Sequence, residues 1–225
     1  MAGNLTSSLE DYLETIYLLQ EGRNQEARVR DIAAARSVKA SSVSPALRRL
    51  SEMGYLKYEQ RESIRLTDQG LVAARRVYAR HVLLFQFFHD ILGMPEDKAR
   101  EEACGLEHAL SEEGMDRFVR FFEARTMCPH GAACTDVRDD CQNCTKHGNN
   151  HVRFSEVKDG ETVFVCQIKA DGSERQVILD MGILPNVSLH KCFSAENHVI
   201  VKVGLHELVL TKEQCEAIIV VFRDA

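Results

Sequence analysis

The chain lacks any apolar run approaching the ~20 residues that a membrane-spanning helix needs. Its first residues, Met1-Ala2-Gly3-Asn4, have neither the basic region nor the apolar core of a secretory leader. Both absences point to a cytoplasmic protein with no membrane partner. In such a reducing compartment, eight cysteines read as metal ligands or buried thiols more than as disulfides. A large excess of charge is missing too, since the net charge is −6. With 44% hydrophobic and 28% charged residues, the composition is ordinary for a globular protein. A length of 225 residues allows two or three domains with real cores.

The charge that is present is unevenly spread. Residues 1–80 hold 13 Lys and Arg against 10 Asp and Glu, whereas residues 81–150 hold 7 against 13. Residues 151–225 hold 8 against 11. A basic first third on an acidic chain suggests a nucleic-acid face at that end, although the excess is small.

The local patterns agree with that placement. Ser8 begins a helix, with Asp11 as capping partner and Leu9, Leu13, Ile16 and Leu19 as its buried stripe. Val29–Arg36 and Ser42–Met53 read as two short helices around the turn Ser37–Ala40, with Gly54 ending the second. Such a pair resembles a helix-turn-helix, whose second helix enters the major groove. Tyr55–Glu59 and Ser63–Thr67 alternate as short strands, with Gln60-Arg61-Glu62 as the tip of a wing. Thr67 then caps a long helix running to about Leu92, whose second half is apolar nearly all round and so needs partners. Pro95-Glu96-Asp97 starts the next helix, and Glu112–Arg125 forms one more, with Met115, Phe118, Phe121 and Phe122 inward.

The segment 126–154 changes character. It holds Cys128, Cys134, Cys141 and Cys144, the last two as a CxxC. Four such cysteines suit structural Zn(II) or an iron–sulfur cluster, with a linker that holds neither as the alternative. Beyond it, Thr162–Ile168, Val187–His190, His198–Val203 and Glu207–Leu210 read as strands of a small barrel, with turns at Asp171-Gly172 and Leu184-Pro185-Asn186. The expected fold class is therefore α+β. A winged helix-turn-helix spans residues 1–66, an all-α dimerisation domain 67–125, a cysteine-rich linker 126–154 and a small β-barrel 155–225.

One constellation carries chemistry. Cys104, Glu107 and His108 fall at i, i+3 and i+4 on one helical turn. A thiolate, a carboxylate and an imidazole together suit a borderline-soft divalent transition metal. The competing interpretation is a core cysteine beside a solvated Glu-His pair, and the triplet alone does not decide between them. Asp11 and Glu14 share a flank of the first helix, where a solvated acidic face is the plain alternative.

Three stretches resemble, in order, the diphtheria-toxin-repressor / manganese-transport-regulator family of metal-dependent repressors. They are Leu9-Glu10-Asp11-Tyr12-Leu13-Glu14-Thr15-Ile16-Tyr17, Ala79-Arg80-His81-Val82-Leu83-Leu84 and Cys104-Gly105-Leu106-Glu107-His108-Ala109-Leu110-Ser111. The Cys-x-x-Glu-His core of the third is the most specific. Leu179-Asp180-Met181-Gly182-Ile183-Leu184-Pro185 is similar to the FeoA-type, Src-homology-3-like barrel that ends longer members. The resemblance implies metal ligation by Asp11, Glu14, His81, Cys104, Glu107 and His108. Cys104 stands where the manganese branch has Glu, and Glu14 where the iron branch usually has Met. Phe85 and Arg100 replace the acid and the imidazole of the iron branch's ancillary site, so His81 is assigned to the main site.

The implied protein is a homodimeric repressor of iron homeostasis that binds double-stranded operator DNA and is activated by Fe(II), with Mn(II) the alternative. Metal would pin the winged helix to the dimer core, because a cation reverses the repulsion among gathered carboxylates. Ser41, Ser42, Ser44, Pro45 and Arg48 lie where base edges are read, and Arg49, Arg61 and Arg65 suit phosphate contacts. Ser42 as a mere helix cap is the simpler role. Two rivals come from other classes: an iron–sulfur or redox sensor through Cys128–Cys144, and a metal-dependent hydrolase. The sequence shows no substrate-pocket signature for the latter, so no catalytic residue is assigned.

Overall fold

The structure, a computed structural model, describes residues 5–23, 27–58, 64–127, 151–204 and 206–222. Arg61 with the wing tip, and Cys128, Cys134, Cys141 and Cys144, lie outside the described residues. The chain divides into two compact units, Met1–Ala109 and Leu110–Ala225.

The first unit is helical. Helix α1, Ser7–Arg23, buries Tyr12, Leu13, Ile16 and Tyr17. Helices α2, Val29–Ala35, and α3, Ala40–Glu52, pack on it through Ile32, Ala33, Val43, Leu47 and Leu50. These side chains recur at helical spacing, so three amphipathic stripes converge on one core. The turn between α2 and α3 puts Ser37 in the left-handed region at φ 53°.

Helix α3 begins two residues earlier than expected, with Lys39 as its N-cap. Ser42 is therefore not the cap; its amide donates to Lys39 O at 2.9 Å. Pro45 consequently sits in the second turn rather than the first. There its ring removes the amide that would bond back to Ser41.

Strands β1, Leu56–Lys57, and β2, Arg65–Leu66, form an antiparallel ladder pairing Leu56 with Leu66, and Ala27 bridges Ile64 beside it. Thr67 closes the wing and opens helix α4, Asp68–Gln86. Its hydroxyl donates to Gly54 O at 2.7 Å and accepts from Gly70 N at 3.1 Å. A Cβ on Gly70 would stand 1.9 Å from Tyr55 O, so only glycine lets α4 approach the wing this closely. The apolar continuation does not stay α-helical to Leu92 but changes to a π-helical turn over Phe87–Ile91. Helix α5, Glu96–Glu107, then returns along α4, with His108 at its C-cap.

In the second unit, helix α6, Glu112–Met127, lies on strand β4. It buries Met115, Val119, Phe122 and Glu123, whereas Phe121 is exposed. The sequence reading missed Val119 because it followed the aromatic residues. The sheet has six strands: β3 Val152–Arg153, β4 Thr162–Ile168, β5 Ser188–Ser194, β6 His198–Val203, β7 His206–Thr211 and β8 Ile218–Val221. They pair antiparallel in the order β3-β8-β4-β5-β6-β7.

Two helices were not expected. Asp171-Gly172, read as a turn, caps and begins α7, Gly172–Asp180, and α8, Lys212–Ala217, precedes β8. Arg175 of α7 is buried and fastens α6 to the sheet. It donates to Asp116 at 2.6 Å, to both oxygens of Glu123 at 3.0 Å and to Ile168 O at 2.7 Å. Glu123 also accepts from Ile168 N at 2.9 Å. The molecule is thus of mixed α and β class, and no described helix is long and apolar enough to cross a membrane.

Candidate metal centre and nucleic-acid face

Three helices of the first unit bring the candidate ligands together. Asp11 and Glu14 come from α1, His81 from α4, and Cys104, Glu107 and His108 from the last turn of α5. Ligand atoms of Asp11, Cys104 and Glu107 lie within 4.8 Å of one another, and so do those of Glu14, His81 and Glu107. Glu107 belongs to both groups and is 1% exposed.

Each Glu107 oxygen faces a different histidine. His81 Nδ1 donates to Oε2 at 2.8 Å, while His108 Nε2 lies 3.2 Å from Oε1. Oε1 itself accepts no hydrogen bond among the described residues. A buried carboxylate oxygen left in that state is costly, and a cation would satisfy it. The donor set of carboxylates, imidazoles and a thiol is that of a divalent transition-metal site, so these residues fit such an ion.

His108 stands between two acids. Its Nδ1 is 2.7 Å from Glu10 Oε2 and its Nε2 is 2.7 Å from Asp11 Oδ1. A neutral imidazole has only one N–H, so two carboxylate partners favour the charged ring. Desolvation lowers the His108 pKa, but the bonds to Glu10 and Asp11 outweigh it and leave the value raised. His81 follows the same balance, with the Glu107 hydrogen bond and the Glu14 charge overcoming desolvation. Burial first, and then the charges of Glu107 and Asp11, push Glu14 up to about 7. The exposed Cys104 keeps its sulfur near these acids, and desolvation together with Glu107, Asp11 and Glu14 raises its thiol pKa. Protons hold together a cluster that would otherwise repel itself.

The sequence reading missed two members of this cluster. Glu10 orients the His108 ring; its spacing of four from Glu14 was the available signal. Arg36 gave no signal at all. Its Nη2 donates to Asp11 Oδ2 at 2.7 Å, and its guanidinium lies 4.9 Å from the Tyr12 ring centroid. Asp11 is therefore engaged across the fold by His108 and Arg36, rather than acting as a capping partner for Ser8. Positions 85 and 100 form no second cluster of donors: Arg100 lies 5.3 Å from the Phe85 ring centroid and bonds Glu96 at 2.9 Å.

The DNA-facing candidates on α3 share one side. Ser41, Ser42, Pro45, Arg48 and Arg49 are exposed and Ser44 is half-buried, while Val43, Leu47 and Leu50 turn inward. Arg49 is 3.7 Å from Glu52, and Arg65 is exposed on β2.

A helix-turn-helix with a wing, followed by helices that gather metal-ligand types, defines a metal-responsive DNA-binding regulator. Comparison with known proteins sharpens that class. The chain matches the iron dependent repressor N-terminal DNA-binding domain over residues 4–64. It matches the iron dependent repressor metal-binding and dimerisation domain over 67–134, and the FeoA domain over 152–221. It is 42% identical over 121 residues to the HTH-type transcriptional regulator MntR of Bacillus pumilus, spanning 52% of this chain and 83% of that protein. An uncharacterized HTH-type transcriptional regulator of Methanocaldococcus jannaschii is 37% identical over 119 residues, 53% of this chain and 95% of its own. A solved manganese-dependent transcriptional repressor in complex with manganese is 25% identical with a TM-score of 0.47, covering 95% of this chain and 99% of its own. The chain belongs to the diphtheria-toxin-repressor / manganese-transport-regulator family of metal-dependent transcriptional repressors.

Proposed function

We propose that this protein is a cytoplasmic homodimer that represses genes of iron homeostasis when Asp11, Glu14, His81, Cys104, Glu107 and His108 hold Fe(II). The observation that carries the reading is Glu107, a buried carboxylate shared by two groups of ligand types and left with one oxygen that accepts no hydrogen bond among the described residues. When bound, the cation supplies positive charge that turns repulsion among these acids into attraction. Asp11 and Glu14 then tie α1, which supports the helix-turn-helix, to α4 and α5. The exposed side of α3 reads operator DNA with Ser41, Ser42, Ser44, Pro45 and Arg48, and Arg49, Arg61 and Arg65 contact phosphates.

Cys104 supports iron over manganese, because a thiolate favours softer ions than a carboxylate does. Its raised pKa keeps the sulfur protonated at neutral pH, so ligation releases that proton and metal affinity rises with pH.

Glu107→Ala and His108→Ala test the site directly. Both variants should remain folded dimers by sedimentation yet lose Fe(II)- or Mn(II)-dependent operator binding in mobility shifts. Unchanged metal-activated binding in both would remove the site from consideration. Cys104→Glu should raise activation by Mn(II) relative to Fe(II). An activation order that does not move would mean that Cys104 is no ligand.

A further inference from the structure

Asp11 uses its two carboxylate oxygens in opposite directions. Oδ1 faces the last turn of α5 through His108, and Oδ2 faces the end of α2 through Arg36. Arg36 is the C-cap residue of α2 and immediately precedes Ser37, the left-handed residue of the helix-turn-helix turn. Only Ser37, Val38 and Lys39 separate it from the first residue of α3. The backbone here is held closely: Arg36 N donates to Ile32 O at 3.0 Å and Val38 N to Ala33 O at 3.0 Å. The side chain is held as well, since its guanidinium lies over the buried Tyr12 ring. Its Nε is buried and has no hydrogen-bond partner among the described residues, which leaves the Asp11 bond to fix the guanidinium's orientation.

We infer that Arg36 is a positioning residue that transmits the state of the metal cluster to the recognition helix, through Asp11. The inference rests on the ligand assignment proposed above. Asp11 Oδ1 belongs to the cluster and Oδ2 to the helix-turn-helix, so a shift of this carboxylate toward a cation moves the guanidinium with it. Because the guanidinium is planar and stacked, it passes on a direction as well as a charge. The turn it adjoins sets where α3 presents Ser41, Ser42 and Arg48. Arg36 also leaves Asp11 only Oδ1, the oxygen that meets His108, to face the cluster, as carboxylates that ligate metals are held by neighbouring donors.

The experiment measures coupling rather than affinity. Mn(II) binding is titrated calorimetrically with and without operator DNA, for wild type, Arg36→Leu and Arg36→Lys. Thermodynamic reciprocity makes the operator-induced tightening of metal equal to the metal-induced tightening of DNA. Arg36→Leu should bring that ratio close to one while still binding Mn(II), and Arg36→Lys should restore part of it. In metal-free protein, Arg36→Leu should speed amide exchange at Ser37–Lys39 and leave α4 unchanged. A folded Arg36→Leu with the wild-type ratio would overturn the inference alone. A wild-type protein showing no coupling, or no loss of Mn(II) affinity on Glu107→Ala, would overturn the ligand assignment and the inference with it. Equal loss of coupling in Arg36→Leu and Arg36→Lys, with accelerated exchange throughout the unit, would show a structural role only and also overturn it.

Discussion

Glu14 is the residue at which the cost of assembling this cluster can be measured. Its pKa of about 7 lies well above the 4.5 of a solvated glutamate. Between those values the folded state binds more protons than the unfolded state, so stability falls as pH rises. His81 and His108 act in the same sense. Their raised values give stability that is complete below their unfolded pKa and is lost as pH climbs through the folded one. Metal-free protein should therefore melt at lower temperature as pH goes from 5 to 8, with Glu14 accounting for about 3 kcal/mol at most. Glu14→Gln should flatten the profile and raise the melting point at pH 7.5. Scanning calorimetry in chelator decides this, and a melting point that rises with pH in the wild type would contradict the picture.

At this same scale, sequence reading reached the six ligand candidates through the Cys-x-x-Glu-His spacing and the resemblance it supported. It passed over Glu10, whose spacing from Glu14 hinted at a role but whose partner His108 is 98 positions away, and could not reach Arg36, whose partner Asp11 is 25 positions away. An acid on a helix flank and an arginine at a helix end look alike whether they are solvated or bonded across the fold.

At the scale of elements, legibility followed periodicity. Strands β4 and β6 have the limits that their alternating residues suggested, and Thr67 caps α4 as its position implied. Helix α7 was hidden because Asp-Gly is a turn signal, and here the pair opens a helix instead. Helix α8 did carry a signal, a capping box joining Thr211 and Gln214, which the run of strands around it obscured. The joining of α6 to the sheet could not be read at all, because it depends on Arg175 meeting Glu123 across 52 residues. Side-chain exposures of 4% for Arg175 and 6% for Glu123 mark a buried pair. Removing the Glu123 charge leaves the buried Arg175 with Asp116 as its remaining carboxylate partner, so Glu123→Gln should destabilise the second unit by about 1–3 kcal/mol. The double variant Glu123→Leu/Arg175→Met should cost less than the sum of the two single changes. Denaturant unfolding of the three variants gives that comparison, and strict additivity would show that the pair is not coupled.

At the scale of the whole molecule, the surface around the π-helical turn bears on assembly. Phe85, Phe87, Phe88 and Ile91 remain half-buried in the single chain, and Leu92 is 55% exposed. So much apolar surface on one helix end suits a second copy of the chain, in a region matched by a metal-binding and dimerisation domain. The six candidate ligands, in contrast, all come from one chain and one compact unit. Self-association and metal binding should therefore separate. Phe88→Glu with Leu92→Glu should shift the protein to monomer in sedimentation while calorimetric Mn(II) affinity stays within about threefold of wild type, since the substituted side chains are absent from both ligand groups. On the proposed dimeric reading, operator affinity should fall steeply, because one recognition helix would then face a site meant for two. Loss of metal binding along with the dimer would instead require a ligand, or the support of one, to come from the partner copy.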